Sequence, residues 1–217
     1  MLTRHNSVVM LAPTVDACAL WRLFMTHMSM PGSSFFCFMQ TPRYELVAGN
    51  DVCVLQRCHT DGQYKFMAIL ADMGMKLVYD LDDNMWQIPR SNPAYRMLTP
   101  YREGFGHCIR MVDVLSVSTK TLANAVKQHV KDLRNVRTGK LIPVIVAENR
   151  LYEPMFVAPR RSEKTIVGWA GSTSHIGDLP LINKAVKTCS AEFPGVTFQF
   201  RGHAPADEIR ALRVRGT

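Results

Sequence analysis

Short β-rich runs alternate with longer helical ones along this chain, and that alternation constrains the fold more than any other feature. Strands separated by helices cannot close as hairpins. Each must cross over and lie parallel to another, with helices against the sheet. "SVVMLAP" (7–13) reads as a strand ending in proline, and 14–30 has helical period with Thr14 or Asp16 as caps. Strands are expected at 33–40 and 51–57, a helix closed by Gly74 at 61–74, and a strand at 75–83. Residues 93–112 are mixed, with helix near their end. A strand at 113–119, a helix at 120–133 capped by Ser118 and Thr119, and a strand at 140–149 complete the first series.

Residues 150–164 carry prolines, bulky side chains and charge without a period, and read as a linker. The alternation then restarts: a strand at 165–171, a polar turn "STSHIGD", a helix at 179–193, a strand at 196–202 and a further helix from 205 to 214. The division implied is an N-terminal α/β domain over 1–149 and an incomplete second one over 165–217. Two strands and two helices are too few to bury a parallel sheet on both faces. The second part is therefore expected to pack on the first, to self-associate or meet a partner chain, or to be a piece of something longer.

A chain of 217 residues that is 47% hydrophobic can bury a sizeable core and does not have the composition of a disordered segment. No apolar run approaches the ~18 residues that a membrane span needs, and the N-terminus lacks a cleavage site. The six cysteines sit mostly inside apolar runs and read as buried thiols of a reducing cytosol. Cys53, Cys58 and His59 match no zinc spacing, so no metal is assigned there. The net charge of +8 gathers late in the chain and favours anionic partners such as nucleotides, nucleic acid or a phospholipid surface.

Residues 77–89, "LVYDLDDNMWQIP", run a buried strand straight into three aspartates. Ligands of open parallel sheets bind beyond the carboxyl ends of the strands. Three carboxylates there raise one another's pKa or call for a cation or hydrogen-bond donors. One aspartate would be ordinary turn chemistry, but three after a buried strand point to a site. Three chemistries fit: a metal-binding Asp-x-Asp, an aspartyl nucleophile, or a cleft carboxylate that positions a hydroxyl or acts as general base. "VYDLDD" resembles the nucleophile strand of haloacid dehalogenase phosphatases, but Asn84 stands where that motif needs Thr or Val.

Taken in order, "VYDLDDNMWQIP", "VDVLSVSTKTLANAV" and "IVGWAGSTSHIGDL" resemble the glycosyltransferases built from two facing Rossmann-like domains (the GT-B type). The similarity is to the group-1, family 4-like enzymes of bacteria and many bacteriophages. "ACALWRL" (17–23) resembles that family's first helix, with Arg22 toward the cleft. The resemblance covers nearly the whole chain. It implies a Rossmann-like N-terminal acceptor-side domain and the start of a second, nucleotide-sugar-binding one. In the family the second domain continues further, and its later part carries donor-binding glutamates. The usual Pro-Asn before the linker is represented only by Asn149.

The implied reaction transfers a sugar from a nucleotide-diphosphate donor to an acceptor hydroxyl, without a metal or other cofactor. Asp80 or Asp82 would be the base or positioning group, with Asp83 lining the cleft. Arg22 would steer an anionic group. Gly171, Ser172, Thr173 and Ser174 would present backbone N–H groups to the diphosphate, with His175 beside them. The plain alternative for that segment is a strand–helix turn with Asp178 as N-cap. The acceptor would be a nucleic acid, as in phage DNA-base modification, or a surface glycan, and the compartment the cytoplasm (the host's, for a phage enzyme). Two other classes compete: a non-catalytic binding or assembly module derived from such an enzyme, and an Asp-dependent phosphohydrolase.

Overall fold

Six strands line up side by side, all parallel, in the order β2-β1-β3-β4-β5-β6. The computed structural model describes residues 7–37, 44–155 and 164–202. The strands are β1 (Val8–Ala12), β2 (Ser33–Cys37), β3 (Val52–Gln56), β4 (Lys76–Leu81), β5 (Val114–Val117) and β6 (Val144–Val146). The order reverses between β1 and β3, so this is a doubly wound, Rossmann-like sheet with its topological switch point there. Contacts divide the chain into two compact units, residues 1–87 with 99–156, and residues 88–98 with 157–217.

The first connection is a continuous helical run. α1 (Ala17–Ala19) passes through a π-helical turn, Leu20–Phe24, into α2 (Met25–Met28). Asp16 caps it by accepting from Ala19 N–H at 2.8 Å. α3 (Asp61–Asp72) opens with a reciprocal capping box: Gln63 N–H donates to the Thr60 hydroxyl, and Thr60 N–H donates to the Gln63 side chain. It closes at Gly74, whose φ of 85° is the left-handed conformation that glycine adopts without strain. The mixed segment resolves into α4 (Ala94–Leu98) and α5 (Arg102–Ile109). α6 (Lys120–His129) is capped by the Thr119 hydroxyl alone; Ser118, expected to cap with it, donates its hydroxyl to the Asp82 carbonyl instead.

The two sheet faces differ. Val9, Leu11, Cys53, Leu55, Leu77, Tyr79, Leu81, Leu115 and Val117 are sealed, and α3 packs on β4 and α6 on β5 and β6. On the other face Met10 and Ala12 pack against Ala19 and Leu23 of the first helical run. Farther along, Val52, Val54, Val78 and Val114 stay half-buried. The expected strand at 140–149 is only three residues long, because Pro143 has no N–H to pair and can only accept, from Leu115 N–H. Residues 120–133 are helical only as far as His129.

The second unit contains one βαβ element. β7 (Thr165–Gly171) and β8 (Val196–Gly202) pair in parallel and are joined by α7 (Leu179–Glu192). Val186 and Phe198 form its small core, with Ile182, Cys189, Val196 and Phe200 around them. Ile166 and Val167 remain 46% and 47% exposed, as expected for a sheet of two strands. Most of the expected linker, and the helix expected at 205–214, lie outside the described residues.

Candidate functional site

Register places Gln56, Asp80 and Ser116 side by side on β3, β4 and β5, a polar row across the half-covered face. All three are buried. Arg22, from the π-helical turn, answers this row. Its Nε and Nη2 donate to the two Asp80 carboxylate oxygens at 3.0 and 2.6 Å, and Nη2 also reaches the Ser116 hydroxyl at 3.3 Å. Nη1 donates to the Ala147 carbonyl and to the Asn149 side chain. Burial works against the Arg22 charge, but the Asp80 hydrogen bonds and charge outweigh it and hold its pKa above the ordinary value. Both Asp80 oxygens are thus committed to one guanidinium. A trough of about 590 Å³ lies over this face, with Val8, Val54, Val78, Arg22 and Asp80 in its lining.

Past the strand ends lies a second group, at the switch point. Asp16 follows β1, Arg57 follows β3, and Asp82 and Asp83 follow β4. Arg57 Nη2 donates to Asp16 Oδ2 at 2.5 Å, joining the two loops that diverge there. Arg57 itself has φ 49°, the only positive φ among the described non-glycine residues. That conformation is uncommon for a long side chain. It is held by Arg57 N–H donating to the Asp80 carbonyl, and by the His59 ring Nδ1–H donating to the Arg57 carbonyl at 2.8 Å.

Asp82 differs from Asp80. Its side chain is only 9% exposed, and Arg57 Nε lies 3.9 Å from its Oδ1, too far for a hydrogen bond. Both atoms are buried without a hydrogen-bond partner. Burial pushes the Asp82 carboxyl above its ordinary pKa. Arg57 and a hydrogen bond from the Cys18 thiol oppose the shift, and the charges of Asp83 and Asp80 add to it. Ser118 fixes the turn by donating its hydroxyl to the Asp82 carbonyl at 3.0 Å. Burial, reinforced by Asp82, also pushes the Cys18 thiol up to about 12. Cys18 Sγ lies 4.0 Å from Asp83 Oδ2. For Asp16, burial works upward, but the Ala19 N–H, the Thr14 hydroxyl and Arg57 outweigh it and leave its carboxyl below the ordinary value.

In the second unit the strand end at Gly171 is tightly built. A Cβ there would lie 2.5 Å from the Trp169 ring, and one on Gly202 would lie 2.1 Å from the Gly171 carbonyl oxygen. The segment Thr173–Asp178 is a 3-10 turn, with His175 N–H donating to the Ser172 carbonyl. Asp178 precedes α7 but makes no capping hydrogen bond. Its carboxylate instead lies 2.9 Å from His175 Nδ1.

Of the residues expected from sequence, the first unit brings together Arg22 and Asp80, and separately Asp82 and Asp83. Gly171, Ser172 and His175 share one turn of the second unit, with Thr173 and Ser174 in its backbone. Sequence reasoning did not single out Arg57, Cys18 as a site residue, or Gln56. A signal for Arg57 was present: a lone arginine directly after the apolar run "VCVLQ" stands at a strand's carboxyl end. The sequence matches no model of a known protein family, and no curated protein matches it significantly.

Proposed function

We propose that this chain is a glycosyltransferase of the two-Rossmann-domain type, moving a sugar from a nucleotide-diphosphate donor to an acceptor hydroxyl. The observation that carries the reading is Asp82: a carboxylate at the carboxyl edge of a parallel sheet, nine-tenths buried, with one oxygen unbonded. A general base needs a free oxygen and a pKa moved toward the working pH, and burial supplies the second. Asp80, with both oxygens on Arg22, serves the site by positioning. In this reading Arg57 balances charge beside the base. The acceptor side is the carboxyl edge of the first unit's sheet, at Asp82 and Asp83, and in the second unit the Gly171–His175 segment would contact the donor diphosphate. A nucleic-acid acceptor suits the net charge of +8, and a surface glycan is the alternative acceptor.

The test has two parts. Calorimetry with UDP and GDP should show binding of one of them. Transfer or slow hydrolysis of the matching nucleotide-sugar should fall by about 100- to 10,000-fold in Asp82→Asn, the range of general-base contributions, with nucleotide affinity unchanged. Absence of binding to either nucleotide by the folded protein would remove the transferase reading and favour a binding module.

A further inference from the structure

We propose that Cys18, Asp82 and Asp83 form a binding site for a single divalent cation of zinc's class, taking one sulfur and two carboxylate oxygens. Their ligand atoms all lie within 4.8 Å of one another. Ligands on one tetrahedral ion of this kind stand about 3.5 Å apart, so seating it asks for a closure of roughly an ångström. Asp83, exposed at the rim, is free to make that movement.

Proximity of acidic groups alone would not single out this place. The independent sign is Asp82 Oδ1: its side chain is nine-tenths buried, and that oxygen has no hydrogen-bond donor. A buried carboxylate oxygen without a donor normally costs stability and calls for a missing partner. Arg57, the nearest cation, is turned to Asp16 and stays 3.9 Å away. Charge points the same way. Asp16 and Asp82 share the Arg57 guanidinium, and Asp83 adds a carboxylate beside Cys18 with no cation paired to it among the described residues. The group is therefore rich in negative charge, which a divalent ion balances.

The donor set selects the metal. One thiolate with two carboxylates suits a borderline ion such as zinc or cadmium and disfavours magnesium and calcium, which take oxygen alone. Three protein ligands also leave a fourth position open. On binding, the Cys18 S–H bond is replaced by a sulfur–metal bond, and the proton leaves to solvent. The ion would ligate the carboxylate that the transferase reading gives to the acceptor's proton, so a bound ion should suppress transfer. The site itself does not depend on that reading.

Titration of the reduced 217-residue chain with cadmium, followed by the ultraviolet thiolate-to-metal charge-transfer band, tests the site. One equivalent should develop the band. Cys18→Ser should remove it, and Asp82→Asn and Asp83→Asn should each weaken binding by at least about tenfold. Circular dichroism checks the fold of each variant. Asp83→Asn, at an exposed position, keeps the test decisive if a buried substitution fails to fold. A band absent from the wild type, surviving in folded Cys18→Ser, or saturating with wild-type affinity in Asp83→Asn would overturn the proposal. No nucleotide or sugar is present, so either result leaves the transferase reading to its own test.

Discussion

Arg22 and Asp80 meet across 58 residues of chain, with Nη2 2.6 Å from Oδ1 and side chains only 4% and 5% exposed. The pair ties the first helical run to β4, one of the two central strands, and through Ala147 and Asn149 it also fastens the chain beyond β6. Removing one member leaves an uncompensated buried charge. Asp80→Asn and Arg22→Met should each cost about 3–5 kcal/mol in urea unfolding. The double variant Arg22→Met/Asp80→Leu should recover most of that loss, because apolar packing replaces a pair whose desolvation was already costly. A loss below about 1 kcal/mol in Asp80→Asn would mean that the pair behaves as a solvated one.

Gly104 sits in the first turn of α5, where helix propensity alone says that alanine should stabilise by about 1 kcal/mol. The packing reverses the sign. A Cβ at this position would lie 2.0 Å from the His59 carbonyl oxygen and 3.0 Å from its carbon, both backbone atoms that cannot swing aside. Gly104→Ala should therefore destabilise by about 1–3 kcal/mol as α5 is forced off the β3–α3 loop. Gly62→Ala in α3 is the control: its Cβ would meet nothing closer than the Thr60 hydroxyl at 4.0 Å, and it should be neutral or mildly stabilising. Thermal unfolding of the two variants side by side distinguishes propensity from packing.

The strands and their parallel pairing were legible because a buried parallel strand is a local signal. "VVMLA", "VCVLQ" and "KLVYDL" each carry a run of apolar and β-branched residues, with polar residues only at or near their ends. The shortness of β6 was legible in principle from Pro143, whose missing N–H limits pairing whatever surrounds it. The division of labour among the aspartates was not. Asp80 and Asp82 are two residues apart in one motif, and nothing local says that the first faces Arg22 from a helix 58 residues earlier while the second turns to the switch point. That assignment depends on Asp80 being the last inward polar residue within β4 while Asp82 lies past its end, and on what each crossover brings there. The left-handed backbone of Arg57 was equally hidden, since tertiary hydrogen bonds hold it and its residue type does not favour it.

Asp82 should register in stability as well as in turnover, and the sign follows from its environment. Burial raises its folded-state pKa above the value in the unfolded chain. Below the ordinary carboxylate range both states hold the proton and Asp82 costs nothing. As pH rises from there, the unfolded chain ionises first while the folded protein keeps its proton, so stability falls. Above the raised folded value the cost is complete and stays constant. Asp82→Asn removes the ionisation and should raise Tm at neutral pH, by an amount that shrinks to nothing as the buffer is brought below the ordinary carboxylate range. In the proposed transferase the same substitution removes the base, and the wild-type rate should climb with pH through the raised value as the carboxylate forms. A gain in Tm together with a loss of rate is the pattern of a group kept for its chemistry at the expense of the fold. A Tm for Asp82→Asn that is lower than wild type at neutral pH would show that the carboxylate is held for structure, by a partnership with Arg57 stronger than their 3.9 Å separation suggests.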